Sequence, residues 1–238
     1  MTREEAVRKL ILAGRILAHH GQGDMTRGHV SLRVEDGLFL MKPNGIGLDE
    51  MTPETVLTVG LDGIARHGQH RQHSEVFIHS EIYHARPDVN AVVHTHPVHL
   101  IALSATGRGL RPLSQGGAIF ADHLPVFDST MQLISDQALG AELARSLGGE
   151  RAVMMKCHGL VMACATLEEA IVLSITIEEA ARIQLLVDSA GGAAAEFPPD
   201  DVAKLRAAQL GAAMINANFG YLARRATGSA LPASLAAL

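Results

Sequence analysis

With 238 residues, 47% of them hydrophobic and 19% charged, the chain suits one domain, spanning 1–238, with a substantial core. A net charge of −5 without any basic cluster argues against a nucleic-acid partner, and no apolar run approaches the roughly 20 residues of a membrane span. Aromatic residues make up only 3% and Trp is absent, so the core has to be built from small aliphatic side chains, with helices packed closely on a sheet. The two cysteines, Cys157 and Cys164, follow an opening Met1-Thr2-Arg3 that lacks the apolar centre of an export signal, so reduced thiols and a cytoplasmic location are expected.

Val7, Leu10, Ile11, Gly14, Leu17 and Ala18 recur at helical spacing and predict an amphipathic helix over 3–20, stopped at Gly21-Gln22-Gly23. An alternating strand, 30–34, turns through Glu35-Asp36-Gly37 into a second strand, 38–41. Lys42-Pro43-Asn44-Gly45 is a loop, Thr52-Pro53-Glu54 starts a short helical turn, and 56–59 is a strand closing on Asp62-Gly63. The polar stretch 64–73 reads as a loop, after which Ser74 is placed to N-cap a helix to about Ala85. Strand 89–95 and helix 97–105 follow, then a Gly-rich mixed segment, 113–120, and a strand at 126–128. Helix 135–147, strands 152–156 and 160–163, and a long helix, 166–189, come next. A break at 191–199 separates these from a final helix over 200–217 and an Ala- and Leu-rich tail. Strands and helices mix without a regular βαβ period. The expected architecture is therefore α/β: a three-layer α/β/α fold on a mixed, largely antiparallel sheet.

The chemistry concentrates in histidine. His94 and His96 stand two apart at the end of a predicted strand and project to one side of it, where two imidazoles can grip one metal ion. His158 follows another apolar run and precedes Gly159, which fits a backbone that turns sharply or comes close to a ligand. Together the three form a candidate open His₃ site for one divalent ion per subunit, and such sites accept Zn²⁺, Mn²⁺, Fe²⁺ or Co²⁺. Glu75, at a predicted helix start, suits either a carboxylate complementing the helix dipole or a general acid/base, and His79 lies one turn later. Thr26, Gly28, His29 and Ser31, with Lys42, Asn44 and Gly45, form two polar segments near strand ends that can offer N–H and O–H groups to an anion. Cys157 reads as a buried small apolar residue rather than a nucleophile. Walker, Rossmann and H-E-x-x-H patterns are absent.

Thr26-x-Gly28-x-x-Ser31, Lys42-Pro43-Asn44-Gly45, Ser74-Glu75, His94-Thr95-His96-Pro97 and His158-Gly159-Leu160 occur in the order of the class II aldolase/adducin family, which the chain resembles over about residues 5–190. The resemblance implies the mixed-sheet fold, a divalent metal on His94, His96 and His158, and Glu75 as acid/base. It also implies a homotetramer with sites at subunit interfaces; Tyr221, in the C-terminal segment, is placed either to cover a neighbour's site or simply to pack. Sugar-phosphate members carry Asn, Thr and Ser where this chain has His29, Lys42 and His73, and those places form the family's phosphate cradle. Gly28-His29-Val30-Ser31 and Phe77-Ile78-His79-Ser80-Glu81-Ile82-Tyr83 resemble instead the branch that decarboxylates hydroxylated aromatic or pyridine dicarboxylates. On that branch Lys42, His29 and His73, beside Ser74, would receive a second, non-reacting carboxylate. Glu75, helped by His79, would manage the proton that replaces CO₂. An aldolase or epimerase acting on a sugar phosphate or hydroxy-keto acid is the alternative, and a non-catalytic adducin-like partner protein ranks last.

Overall fold

The chain enters its first helix through a capping box: the Thr2 hydroxyl accepts from Glu5 N–H, and the Glu5 carboxylate accepts from Thr2 N–H at 2.7 Å. The computed structural model describes residues 1–35, 37–193 and 195–230, so the Ala- and Leu-rich tail lies outside the described residues, as does Asp36 of the first hairpin turn. In chain order the elements are α1 (Arg3–His19), β1 (His29–Glu35), β2 (Leu38–Met41), β3 (Leu57–Gly60), β4 (Ala65–His67), α2 (Val76–Ala85), β5 (Ala91–Thr95) and α3 (Val98–Ala105). They continue with α4 (Gln115–Phe120), β6 (Val126–Phe127), α5 (Gln137–Leu147), β7 (Ala152–Met155), β8 (Gly159–Cys164), α6 (Leu167–Ser189), α7 (Pro199–Gln209) and α8 (Ala212–Thr227).

One sheet of eight strands runs in the order β4-β3-β2-β1-β5-β8-β7-β6, antiparallel throughout except for the β6–β7 pair at the edge. Its two faces bury separate cores, because successive strand residues point to opposite sides. On one face Val30, Leu32, Ala91, Val93, Leu160 and Met162 meet helices α1, α3, α6 and α8. On the other, Phe39, Val59, Val92, Val153 and Val161 meet α2 and α5. This is the three-layer α/β/α fold with a mixed, largely antiparallel sheet.

Four local features differ from the sequence expectation. The polar 64–73 stretch contains the short edge strand β4, which needs only backbone pairing to β3 and carries no hydrophobic signal. The Gly-rich 113–120 segment forms α4, whose Ser114 hydroxyl accepts from Gly117 N–H at 3.0 Å. The final helix is two helices, parted at Gly211, so that α7 lies on α4 while α8 returns across α1 and α6 and buries Ile215 and Leu222. Glu75, not Ser74, is the N-cap of α2, and its carboxylate makes no capping bond.

Candidate metal centre and active site

Alternation along the central strands builds one wall of the site. Ala91 and Val93 of β5 point into the α1/α6 core and Val92 into the α2/α5 core, so His94 emerges toward α2. In the antiparallel neighbour β1, His29 stands opposite His94 and Ser31 opposite Val92, on that same side. Thr95 faces the other way, where its hydroxyl donates to Gln22 Oε1 at 2.7 Å and Gln22 donates to Ser174 O of α6 at 2.7 Å. The histidine strand is thereby tied from behind to α6.

His158 arrives through the β7–β8 turn, where Cys157 adopts the left-handed conformation (φ 56°) and donates its N–H to Ser104 Oγ at 2.9 Å. Gly159 lets the turn approach β5. A Cβ there would lie 2.5 Å from Thr95 O, 3.0 Å from His96 Cδ2 and 3.3 Å from His94 Cε1. His94, His96 and His158 each offer a ring nitrogen within 4.8 Å of the others.

Hydrogen bonding fixes how these rings present themselves. His94 Nδ1 donates to Leu160 O at 2.9 Å, so Nε2 carries the lone pair, and it is buried with no partner in the protein. That bare, buried nitrogen fits a cation better than solvent. His96 Nδ1 lies 2.8 Å from Asp24 Oδ2, an ion-pair contact without hydrogen-bond geometry. Burial drives His94 far below the ordinary imidazole range and His158 down to about 4, so both are neutral at physiological pH. The Glu75 carboxylate sits among them, with Oε2 3.6 Å from His94 Nε2 and Oε1 3.6 Å from His158 Nε2. Burial raises its pKa, and the Ile134 N–H, 3.0 Å from Oε1, opposes that only in part.

A cavity of about 1000 Å³ opens beside this group. Thr26, Asn44, His73, Ser74, Glu75, His96 and His158 are all on its wall. Val98, Ile101, Met131 and Leu133 line it too, and Arg27 is the one Lys or Arg on that wall among the described residues.

Several residues expected to meet substrate do not line the cavity. Lys42 is fully buried, and its ammonium donates to the carbonyls of Thr26 (2.8 Å), Pro43 (3.1 Å) and Ile46. Its three N–H donors are all taken, so it clasps the Thr26 and Asn44 segments together instead of receiving a carboxylate. His29, Ser31 and His79 stand behind the wall: His29 Nδ1 and His79 Nε2 share a 2.6 Å hydrogen bond, and His79 Nδ1 and Ser31 Oγ another of 2.6 Å. Gly28 and Gly45 shape loops; a Cβ on Gly28 would press on Gln22 O and Leu48, and Gly45 has φ 76°. Tyr221 is exposed on α8 and absent from the wall. Cys157 is exposed on the cavity wall, not buried, because its turn conformation swings it outward. Sequence alone also passed over Asp24, whose contact with His96 depends on successive left-handed residues (Asp24 φ 40°, Met25 φ 55°) that no residue pattern announces.

The profile of the class II aldolase and adducin N-terminal domain matches residues 8–185 of this sequence. The chain belongs to the class II aldolase and adducin family. Its relatives include the 3,4-dihydroxyphthalate decarboxylase of Arthrobacter keyseri, 33% identical over 86% of this chain and 88% of the relative. The L-fuculose phosphate aldolase of Escherichia coli K12 is 29% identical over 78% of this chain and 85% of its own length. Among solved structures, an aldolase II superfamily protein from Pseudomonas syringae superposes with a TM-score of 0.84 at 28% identity, covering 95% of this chain and 94% of that one. In this family member the His and Glu residues are thus arranged in a group that could bind a metal ion, beside a cavity large enough for a small molecule.

Proposed function

We propose that the chain is a metal-dependent carbon–carbon lyase that decarboxylates a hydroxylated aromatic or pyridine dicarboxylate. The observation that carries this is the mixed lining of the cavity. His73, Glu75, His96 and His158 share it with Val98, Ile101, Met131 and Leu133, apolar side chains suited to a planar ring. His94, His96 and His158 would hold a divalent ion, and such an ion supplies a Lewis acid that draws electron density from a substrate oxygen. With Lys42 committed to carbonyls, Arg27, which pairs with Asp24 at 3.0 Å, would meet a second carboxylate with its remaining donors, with Thr26 and Asn44 on the same wall.

In the reaction the ring–carboxylate bond breaks, its electron pair stays on the ring carbon, and the carboxylate leaves as CO₂. Glu75 gives a proton to that carbon and is reprotonated from solvent. Its burial suits the task, because a carboxyl with a raised pKa holds its proton nearer neutrality. Tyr221 would serve only from a neighbouring subunit, in the homotetramer that the family resemblance implies.

An aldolase acting on a sugar phosphate would use the same histidines and Glu75, and the fuculose phosphate aldolase relatives favour it. It also needs a phosphate cradle, for which Arg27 is the one Lys or Arg on the wall among the described residues. The deciding experiment supplies metal-loaded protein with a panel of hydroxylated aromatic and pyridine dicarboxylates, with sugar-phosphate aldols alongside. CO₂ release from at least one dicarboxylate is expected. Aldehyde release from an aldol, with no CO₂ from any acid, would overturn the assignment.

A further inference from the structure

Behind Glu75 lies a line of buried polar side chains that the chemistry above does not use. The Tyr83 hydroxyl donates to Asn90 O at 3.3 Å, and this carbonyl, which can only accept, sets the direction of the rest. Ser31 Oγ bonds Tyr83 OH (2.8 Å), His79 Nδ1 bonds Ser31 Oγ (2.6 Å), and His29 Nδ1 bonds His79 Nε2 (2.6 Å). With the Tyr83 proton spent on Asn90, Ser31 donates to Tyr83, His79 donates from Nδ1 to Ser31, and His29 donates from Nδ1 to His79. A neutral imidazole has one N–H, so His29 Nε2 is left as a bare lone pair. It is fully buried, has no partner in the protein and faces Glu75 Oε2 at 3.7 Å. Two acceptors facing each other in a buried site call for positive charge between them. A substrate carboxylate could not meet that need, because it too only accepts.

We infer that His29, His73 and Glu75 form a second cation site, for a divalent transition ion such as Zn²⁺ or Co²⁺, whose occupation silences Glu75. Each of the three offers a ligand atom within 4.8 Å of the other two, and all three are buried. The His29 and His73 rings stand 4.0 Å apart between centroids. Two imidazoles and one carboxylate suit such an ion better than Mg²⁺ or Ca²⁺, which prefer oxygen ligands. The site is separate from the His94, His96 and His158 group but draws on the same carboxylate, since Glu75 Oε2 is also 3.6 Å from His94 Nε2. Two features make it the weaker of the two. His73 Nδ1 accepts from Glu75 N–H at 3.3 Å, a bond that ligation through that nitrogen gives up. The Lys42 ammonium, within electrostatic reach of both His29 and His73, repels an incoming ion. The second ion therefore binds after the first, and a Glu75 carboxylate held by it cannot carry a proton to a ring carbon.

The silencing rests on Glu75 as the acid proposed above; the site itself does not, and its primary test needs no turnover. Metal-free protein is titrated with Co²⁺ and read by bound-metal analysis and low-temperature EPR. The wild-type chain should take two ions, and the second should broaden the EPR signal of the first, because ions sharing one carboxylate stand on the order of 4 Å apart. His29→Gln, whose amide is a far poorer ligand, and His73→Ala should each keep the first ion and weaken the second by about 10-fold or more. Fewer than two ions in the wild type, two that do not sense each other, or a second ion indifferent to both substitutions would overturn the site. A proton shared between Glu75 and His29 in place of an ion would give the first of these results. The wild-type stoichiometry and EPR decide the matter even where a variant fails to fold. With a confirmed substrate, filling the second site should slow wild-type turnover on the order of 10²-fold, and His29→Gln should keep its own one-equivalent rate in the same excess of Co²⁺. Turnover indifferent to the second ion would overturn the silencing. Two coupled ions with no CO₂ release from any acid would remove the decarboxylase assignment and leave the site standing.

Discussion

Gly159→Ala tests whether the approach of β8 to β5 sets the histidine geometry. No left-handed φ is involved, so the added methyl meets a problem of space alone. At 2.5 Å from Thr95 O it falls short of an ordinary C···O contact of roughly 3.3 Å by about 0.8 Å. The obstacle is main chain, so β8 has to retreat from β5 at the Thr95–Leu160 pair and take His158 with it. Overpacking of this kind costs about 1–3 kcal/mol. For a chain of this size that corresponds to roughly 2–12 °C in Tm. A displacement near 1 Å also costs on the order of 10²-fold in turnover where reacting groups must be aligned. Thermal melts of metal-free protein, metal content after dialysis, and turnover should all fall together. A variant with unchanged Tm and full metal retention would refute the idea that this contact spaces the ligands.

Glu75→Gln should retain the ion on the three histidines yet lose about 10²–10⁴-fold in turnover, read by metal analysis beside CO₂ release; full activity would remove Glu75 as the acid. Lys42→Met should destabilise the fold by several kcal/mol in denaturant titrations, because about 1–3 kcal/mol attaches to each buried carbonyl left without a donor. Stability of the metal-free protein should fall as the medium is acidified. Burial lowers His79 to about 3 and His73 and His158 to about 4, against 6.5 for the free side chain. Between those values the unfolded chain binds more protons, so their contribution is complete above pH 6.5 and is lost as the pH falls toward 4 and 3. Denaturant midpoints that stay level from pH 7 to pH 4 would contradict that burial. Ion retention should follow the same course, since protons compete for the ligand nitrogens.

Much of the site was legible because strand alternation is a rigid rule. His94 and His96 share a side, and Gly159 marks the close approach that brings His158 to them. The two-layered burial on either side of the sheet follows from the same period of two. What sequence could not supply was the destination of long or oddly turned side chains. Lys42 looked like a ligand for an anion, but three carbonyls gathered from the flanking loops satisfy it instead. Cys157 looked buried until its left-handed turn pointed it at the cavity, and Asp24 reaches His96 through a comparable turn. The parting of α7 from α8 was hidden because Gly211 sits in an Ala-rich stretch whose helical propensity is high on both sides.

The anchoring of Thr95 through Gln22 to α6 has a consequence for how an ion enters. The strand that carries His94 and runs directly into His96 is held by the opposite layer of the molecule, so the two imidazoles have little freedom to collapse inward or splay. Were a cation to bind this group, any adjustment would fall mainly on the β7–β8 turn and the Asp24 loop, with the rest of the sheet a spectator.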